Sequence, residues 1–433
     1  MRCRLVNIRR SFSSRPGPTP KLIVEADCSW TKVVAQVASH GRTCLAVADE
    51  NAPGQAAGRC LFELQKAGIN CAMFTGRGAY PTTDGIDEAR EMARRIGATC
   101  IVSVGSGGTI DTAKAAARLH ASSGGCKHFL TSPGGVLMGE GGNSKPRRPA
   151  GNALPLVAIP TSAGAGAAAN GRCLVWHPDD EVLVPLAGAA EEGESLAQQV
   201  ALVDPMLCTS LSKAQTVAMA MTALSACVDA LLARELALAS GVPLQNGDAL
   251  LDLGRRGIGA LAEGLPVALA DGKNKLAREL LTIGSVCAGQ LAVATPAPPA
   301  QLVARATGSL LGRHSYPSVC AMVFPHVVGD MLGQANSFSG DAQAAEAIER
   351  ALSLSASLFL GDGNDGPALL SWLEAQGREW LDFASLSSVD STISAKDVAT
   401  NIDMLLAIEE DTDAADRVWS AGGTADMAEL IVG

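Results

Sequence analysis

Ile101-Val102-Ser103-Val104-Gly105-Ser106-Gly107-Gly108-Thr109-Ile110-Asp111-Thr112-Ala113-Lys114 reads as a buried parallel strand, a glycine turn and the first turns of a helix. Such a junction aims backbone N–H groups and the positive end of a helix at one place, which suits a phosphate. Glycines in the turn let the backbone approach a pyrophosphate where a Cβ would clash. The spacing is neither the dinucleotide G-x-G-x-x-G nor a P-loop, so the turn is moderate evidence by itself. The competing reading is a turn that merely connects a strand to a helix.

Outward from this stretch, strands and helices alternate from Lys21 to about Asp204. Short apolar runs at 44–48, 71–74, 100–104 and 156–159 predict strands, and amphipathic stretches at 54–67 and 86–96 predict helices between them. That order implies βαβ units and a parallel sheet. Residues 122–152 are rich in Gly, Pro and Ser and carry the basic cluster Lys145-Pro146-Arg147-Arg148, which reads as a solvated loop tip. After Val203-Asp204-Pro205 the strand signals stop. Helical periodicity follows at 211–239, 250–262, 275–293, 342–359 and 368–380, with Pro296, Pro298 and Pro299 at one helix boundary. The expected architecture is an N-terminal α/β domain with a doubly wound parallel sheet (21–204) and an all-α C-terminal domain (205–433), after a basic segment (1–20). Ligands of such sheets bind outside the carboxyl ends of the strands, so the interdomain cleft is the expected site.

The 433 residues are 47% hydrophobic but only 3% aromatic, so the core has to be built from Ala, Val, Leu and Ile. Alanine-rich sequence punctuated by glycine favours close helix packing over a β-sandwich. A net charge of −10 argues against a nucleic-acid partner held on a basic surface. No membrane span is expected, because the long alanine stretches carry charged residues. The twelve cysteines are scattered singly, and read as small buried hydrophobes in a reducing compartment rather than as disulfides, zinc ligands or a catalytic thiol. Arg2, Arg4, Arg9, Arg10 and Arg15 precede the first acid, Glu25, and Ser11, Ser13 and Ser14 lie among them. That composition is expected of a transit peptide leading to the mitochondrial matrix, the alternative being a disordered basic tail.

Several ordered motifs make the chain resemble the iron-containing alcohol dehydrogenases, relatives of maleylacetate reductase and dehydroquinate synthase. Gly105–Lys114 follows their loop G-G-G-S-x-x-D-x-A-K, with Ser106 and Gly108 as departures. Ile159-Pro160-Thr161-Ser162-Ala163-Gly164-Ala165-Gly166-Ala167-Ala168 follows I-P-T-T-x-G-T-G-S-E. Val203-Asp204-Pro205, Gly264-Leu265-Pro266-Val267-Ala268 and Ala288-Gly289 fall at further landmarks, and the likeness fades after about Val327. The resemblance implies NAD(P) across Gly105, Ser106, Gly107, Asp111 and Lys114, with Thr161 and Ser162 near the phosphate or nicotinamide. Asp49, ending Ala46-Val47-Ala48-Asp49, stands where an acid would accept from ribose hydroxyls and favour NAD over NADP. Its alternative role is an ordinary helix N-cap.

The family's metal ligands are another matter. They are an Asp and a His four apart in G-M-D-A-L-x-H-A-x-E-A, plus two later histidines. Here that stretch is Ala220-Met221-Thr222-Ala223-Leu224-Ser225-Ala226-Cys227-Val228-Asp229-Ala230, which puts Thr222 and Ala226 at the two ligand positions. Counting on from Ala288-Gly289 puts Gln301 at the third, and His314, Ser315 or Tyr316 at the fourth. One imidazole with neutral neighbours would not hold iron or zinc against water, so no metal is expected. Arg305 or Tyr316, with His314 the remaining imidazole, are the candidate catalytic groups for a metal-free site. His326 reads as structural, and His40, His120, His128 and His177 as ordinary residues. The main expectation is a mitochondrial subunit, structural or regulatory, that has lost metal-dependent catalysis and still holds NAD(P), assembled with itself or with other subunits. The alternative is an active NAD(P)-dependent alcohol, aldehyde or hydroxy-acid oxidoreductase with a rearranged or metal-free site.

Overall fold

The computed structural model describes residues 20–49, 55–76, 80–130, 147–186, 199–241, 247–295, 299–308, 310, 315–337, 342–381, 394–406 and 428–429. The basic segment 1–19, the Lys145-Pro146 half of the loop cluster and His314 lie outside the described residues.

The N-terminal half runs β1 (Lys21–Val24), α1 (Cys28–Ala38), β2 (Thr43–Asp49), α2 (Ala56–Lys66), β3 (Asn70–Gly76), α3 (Thr83–Arg95), β4 (Cys100–Gly105), α4 (Gly107–Leu119), β5 (Leu156–Pro160), β6 (Leu174–His177), β7 (Val182–Pro185) and β8 (Gln199–Val203). Six strands form one parallel sheet in the order β1-β8-β5-β4-β2-β3, while β6 and β7 pair as a separate antiparallel hairpin. Every residue of β4 is buried, because both faces of the sheet are covered by helices. Val33, Val37, Cys60 and Leu64 of α1 and α2 pack on Val102, Val104 and Val157. Ala89, Ala93, Ala113 and Ala116 of α3 and α4 pack on Leu45, Val47 and Ile101 on the other face. The expected doubly wound α/β domain is thus present, and its four expected strands are slightly longer than their apolar runs. The strand order reverses between β2 and β4, so the crevice for a ligand opens beyond Asp49 and Gly105.

The C-terminal half is helical: α5 (Lys213–Ala239), α6 (Gly247–Ala270), α7 (Lys275–Ala292), α8 (Pro299–Gly308), α9 (Tyr316–Ser337), α10 (Ala342–Leu360), α11 (Gly366–Gln376) and α12 (Ala395–Leu406). Helix α5 starts from a capping box in which the Ser212 hydroxyl accepts from the Gln215 N–H (3.2 Å) and the Gln215 side chain accepts from the Ser212 N–H (2.9 Å). One sequence expectation needs correcting here. Helix α5 is by length and composition apolar enough to cross a membrane, yet 89% of its apolar window is buried inside the protein. It is the central helix of the bundle, apolar all round because α6, α7, α9 and α10 surround it. Helix α6 also runs past Pro266, beyond the 250–262 that periodicity suggested, and α8 begins on Pro299, whose missing N–H costs nothing at a first helical position.

Glycine in these helices serves close approach. A Cβ on Gly257 of α6 would lie 2.7 Å from the Cys227 sulfur of α5 and 3.1 Å from the Cys287 Cβ of α7. Gly257→Val should therefore overpack this junction and lower stability by about 1–3 kcal/mol. Thermal unfolding monitored by circular dichroism reads this as a lowered midpoint with native helicity retained below it.

Candidate active site

Strand β4 ends at Gly105, and Ser106 begins helix α4 with extended backbone and no side-chain cap on the helix N–H groups. Helices α3, α5, α7 and α11 are by contrast capped by Thr82, Ser212, Asn274 and Asp365. The Ser106 hydroxyl instead donates to the Asp49 carboxylate at the end of β2 (3.3 Å). First-turn N–H groups of α4 are thus left for a ligand, with Asp49 beside them. Asp49, Ser106, Gly107, Asp111, Thr161 and Ser162 all line one cleft of about 330 Å³ between the sheet and the helical half.

Gly105 and Lys114 work behind that wall. A Cβ on Gly105 would meet the Thr109 hydroxyl at 2.6 Å, so this glycine makes room for a neighbouring side chain, and its carbonyl accepts from the Thr161 N–H (3.0 Å). The Lys114 ammonium is fully buried and donates to the Ala167 carbonyl (2.7 Å), the Arg172 carbonyl (2.6 Å) and the Asp111 carboxylate (3.2 Å). Its three donors are all used, which is what a buried ammonium requires. Asp111 also accepts from the Leu174 N–H (3.2 Å). Burial pushes its carboxyl above the ordinary value, and the charge of Lys114 acts against that.

The loop after β5 is pinned to α7 by contact between two glycines. A Cβ on Gly166, whose φ is +68°, would lie 2.1 Å from the Ser285 carbonyl, and one on Gly289 would lie 2.1 Å from the Gly166 carbonyl. The Asn170 side-chain amide donates to the Gly289 carbonyl (2.8 Å), and the Arg172 guanidinium donates to the Ala292 carbonyl (3.1 Å). The two sequence landmarks that hold Gly166 and Gly289 thus form the seam between the halves.

Gln301, Arg305, Ser315 and Tyr316 line the opposite side of the same cleft. Arg305 is 2% exposed and donates through Nε to the Leu183 carbonyl (3.0 Å). The Gln301 Nε2 and the Tyr316 hydroxyl are buried and have no hydrogen-bond partner among the described residues. Burial holds the Tyr316 phenol well above its ordinary value, with Arg305 and Arg172 opposing the rise. The three aligned ligand positions that fall among the described residues carry no charged or imidazole donor. The Thr222 hydroxyl donates within its own helix to Ala218 (2.8 Å) and approaches the Pro317 carbonyl (3.2 Å), Ala226 has no donor atom, and Gln301 offers a neutral amide. A divalent ion does not fit that donor set.

Sequence reasoning passed over Asp229, although an acid in an otherwise apolar helical stretch was a visible signal. Its buried carboxylate accepts from the Ala300 N–H (3.4 Å) at the start of α8, the helix that carries Gln301 and Arg305. Its other oxygen has no partner among the described residues. Burial pushes this carboxyl up to about 7, against the opposing N–H groups of Ala300 and Gln301. Tyr80 was also missed. Its ring stacks on Trp176 (centroids 5.8 Å apart) at the cleft wall, and burial raises its phenol.

Residues 19–205 match the model of a family described as iron-containing alcohol dehydrogenase. An NAD-dependent methanol dehydrogenase of Bacillus methanolicus is 26% identical over 226 residues, 52% of this chain and 52% of that protein. The chain spans about half the length of this and other curated relatives that it matches. Among solved structures, an alcohol dehydrogenase from an archaeal halo-thermophile of a Red Sea brine pool superposes with a TM-score of 0.78 at 16% identity, covering 97% of this chain and 98% of that one. Sulfoacetaldehyde reductase from Bifidobacterium kashiwanohense in complex with NAD+ gives a TM-score of 0.68 at 16% identity, covering 98% and 99%. The sheet domain is thus similar in sequence to the iron-containing alcohol dehydrogenase family, and the described residues are similar in fold to solved alcohol dehydrogenases.

Two substitutions test this geometry. Lys114→Met leaves Asp111 and two carbonyls without their buried cation and should cost about 3–5 kcal/mol in chemical denaturation; a cost below about 1 kcal/mol would contradict the arrangement. Asp229 binds a proton more tightly when folded than when unfolded, so it removes stability as pH rises from about 4 to about 7. Asp229→Asn should flatten that decline in a plot of melting temperature against pH.

Proposed function

We propose that the chain is an NAD(P)-dependent oxidoreductase that reduces a small aldehyde to its alcohol without a divalent metal. The observation carrying this reading is the pair of buried, unpartnered groups, Tyr316 hydroxyl and Gln301 Nε2, in the cleft whose other wall holds Ser106–Gly108. Buried polar atoms without partners are costly, and a substrate oxygen would satisfy both. The uncapped first turn of α4 would hold the dinucleotide phosphates, and the Asp49 carboxylate would accept from ribose hydroxyls and disfavour a 2′-phosphate. Bound there, the reduced nicotinamide supplies the hydride.

The chain's own residues supply the rest. Hydride arrival at the carbonyl carbon places negative charge on the oxygen, which in most metal-dependent dehydrogenases a Lewis acid would carry. In this cleft Arg305 brings a fixed positive charge, and Gln301 Nε2 donates to the oxygen. Tyr316 then gives its phenolic proton to that oxygen. A phenol held above its ordinary value stays protonated at neutral pH, which suits an acid in the reducing direction better than a base in the oxidising one. The family relationship and the NAD-dependent relatives support the same class of reaction.

Thr222 and Ala226 favour a second reading, a non-catalytic subunit that retains the dinucleotide. Steady-state reduction of small aldehydes by NADH, measured with chelator present, separates the two. Tyr316→Phe should lower kcat by about 10²-fold or more while leaving the Kd for NADH unchanged by calorimetry. NADH binding with no turnover of any aldehyde by the unaltered protein would favour the second reading, and absence of NADH binding would sink both.

A further inference from the structure

At the end of the sheet away from the cleft, the register sets three cysteines side by side. Cys44 of β2 pairs with Cys71 of β3 on one side and with Cys100 of β4 on the other. Residues opposite one another in a parallel sheet point to the same face, about 4.8 Å apart from strand to strand, within the Cα separation a disulfide tolerates. The Cys44 thiol donates to the Cys71 sulfur at 3.1 Å. Cys44 and Cys100 are fully buried, but β3 is the edge strand and Cys71 is only partly covered. Accessibility and depth are thus divided between two touching sulfurs.

We propose that Cys71 and Cys44 form a peroxide-reactive dithiol, with Cys71 the attacking thiol and Cys44 the resolving one. Cys71 accepts a hydrogen bond from Cys44 that lowers the Cys71 thiol below its ordinary value, while Cys44 is raised, first by its hydrogen bond to Cys100 on the other side and then by the one to Cys71. The Cys71 thiolate attacks one oxygen of hydrogen peroxide, the O–O bond breaks, and Cys71 becomes a sulfenic acid as hydroxide leaves. The Cys44 sulfur then displaces the sulfenic hydroxyl, forming the S–S bond and releasing water, with the Cys44 proton taken up by the departing hydroxyl. Two thiols are oxidised by two electrons in all, and peroxide is reduced to two waters. Cys60 of α2 is buried on the same face, outside the row of three, and takes no part.

The test uses the full-length folded protein, reduced and then exposed to hydrogen peroxide without denaturant. Non-reducing peptide mapping should find the Cys44 and Cys71 peptides linked, with loss of two hydrogen atoms from the intact mass. Before oxidation, limiting alkylating reagent should label Cys71 at least about ten-fold faster than Cys44. Cys71→Ser and, if that variant folds poorly, Cys71→Ala should abolish the link, whereas Cys100→Ser should keep it. The proposal is overturned by a Cys44–Cys100 link, by a link that forms only in denaturant, or by over-oxidation of Cys71 with no link to Cys44.

Discussion

The cleft depends on one buried ammonium. Lys114 leaves helix α4, enters a space closed to water, and holds Asp111 and the carbonyls of Ala167 and Arg172 together. Those oxygens belong to α4 and to the loop after β5, so a single side chain joins the glycine turn to the segment that meets the helical half. The loop is then fixed from its other side, where Gly166 and Gly289 touch with no room for a Cβ on either. With both constraints in place, the uncapped start of α4 faces α8 and α9 at a set separation. A charge buried so completely is stable only with all of its partners present, so the join is all or none.

That arrangement changes what the glycine turn means. Residues 101–114 give the strand, turn and helix from periodicity alone, and the parallel sheet follows from the same alternation on both sides. The division of labour inside the motif was not legible. Gly105 makes room for Thr109 and Lys114 braces the loop, while Ser106 and Gly107 face the cleft. Spacing shows that such residues recur; it does not show which of them point outward. The strands β1, β6, β7 and β8 went unread; β6 and β7 pair as a separate hairpin outside the strand–helix alternation. The span-like character of α5 was underrated because its few charges obscured how apolar the rest of it is.

The far wall was partly legible. Aligning 220–230 showed that Thr222 and Ala226 carry no metal-binding chemistry, and the hydrogen bonds of Thr222 agree with a packing role. Arg305, Gln301 and Tyr316 do converge on the cleft, which no single-sequence pattern could establish because α8 and α9 are brought together only by the bundle. Asp229 is visible in the sequence as an acid in an apolar helical stretch, but its partners, backbone N–H groups at the start of α8, have no sequence signature. Among the described residues the site is therefore polar and cationic where the aligned positions Thr222, Ala226 and Gln301 offer neutral donors or none. Hydrogen bonds and a fixed guanidinium are an alternative way to stabilise charge on a substrate oxygen.

The most direct test of a metal-free reductase is a single-turnover experiment on chelator-stripped protein preloaded with NADH. The account predicts that a small aldehyde discharges the nicotinamide absorbance at the same rate whether or not ferrous or zinc ion is restored. NADH that stays unoxidised until metal is added would contradict it.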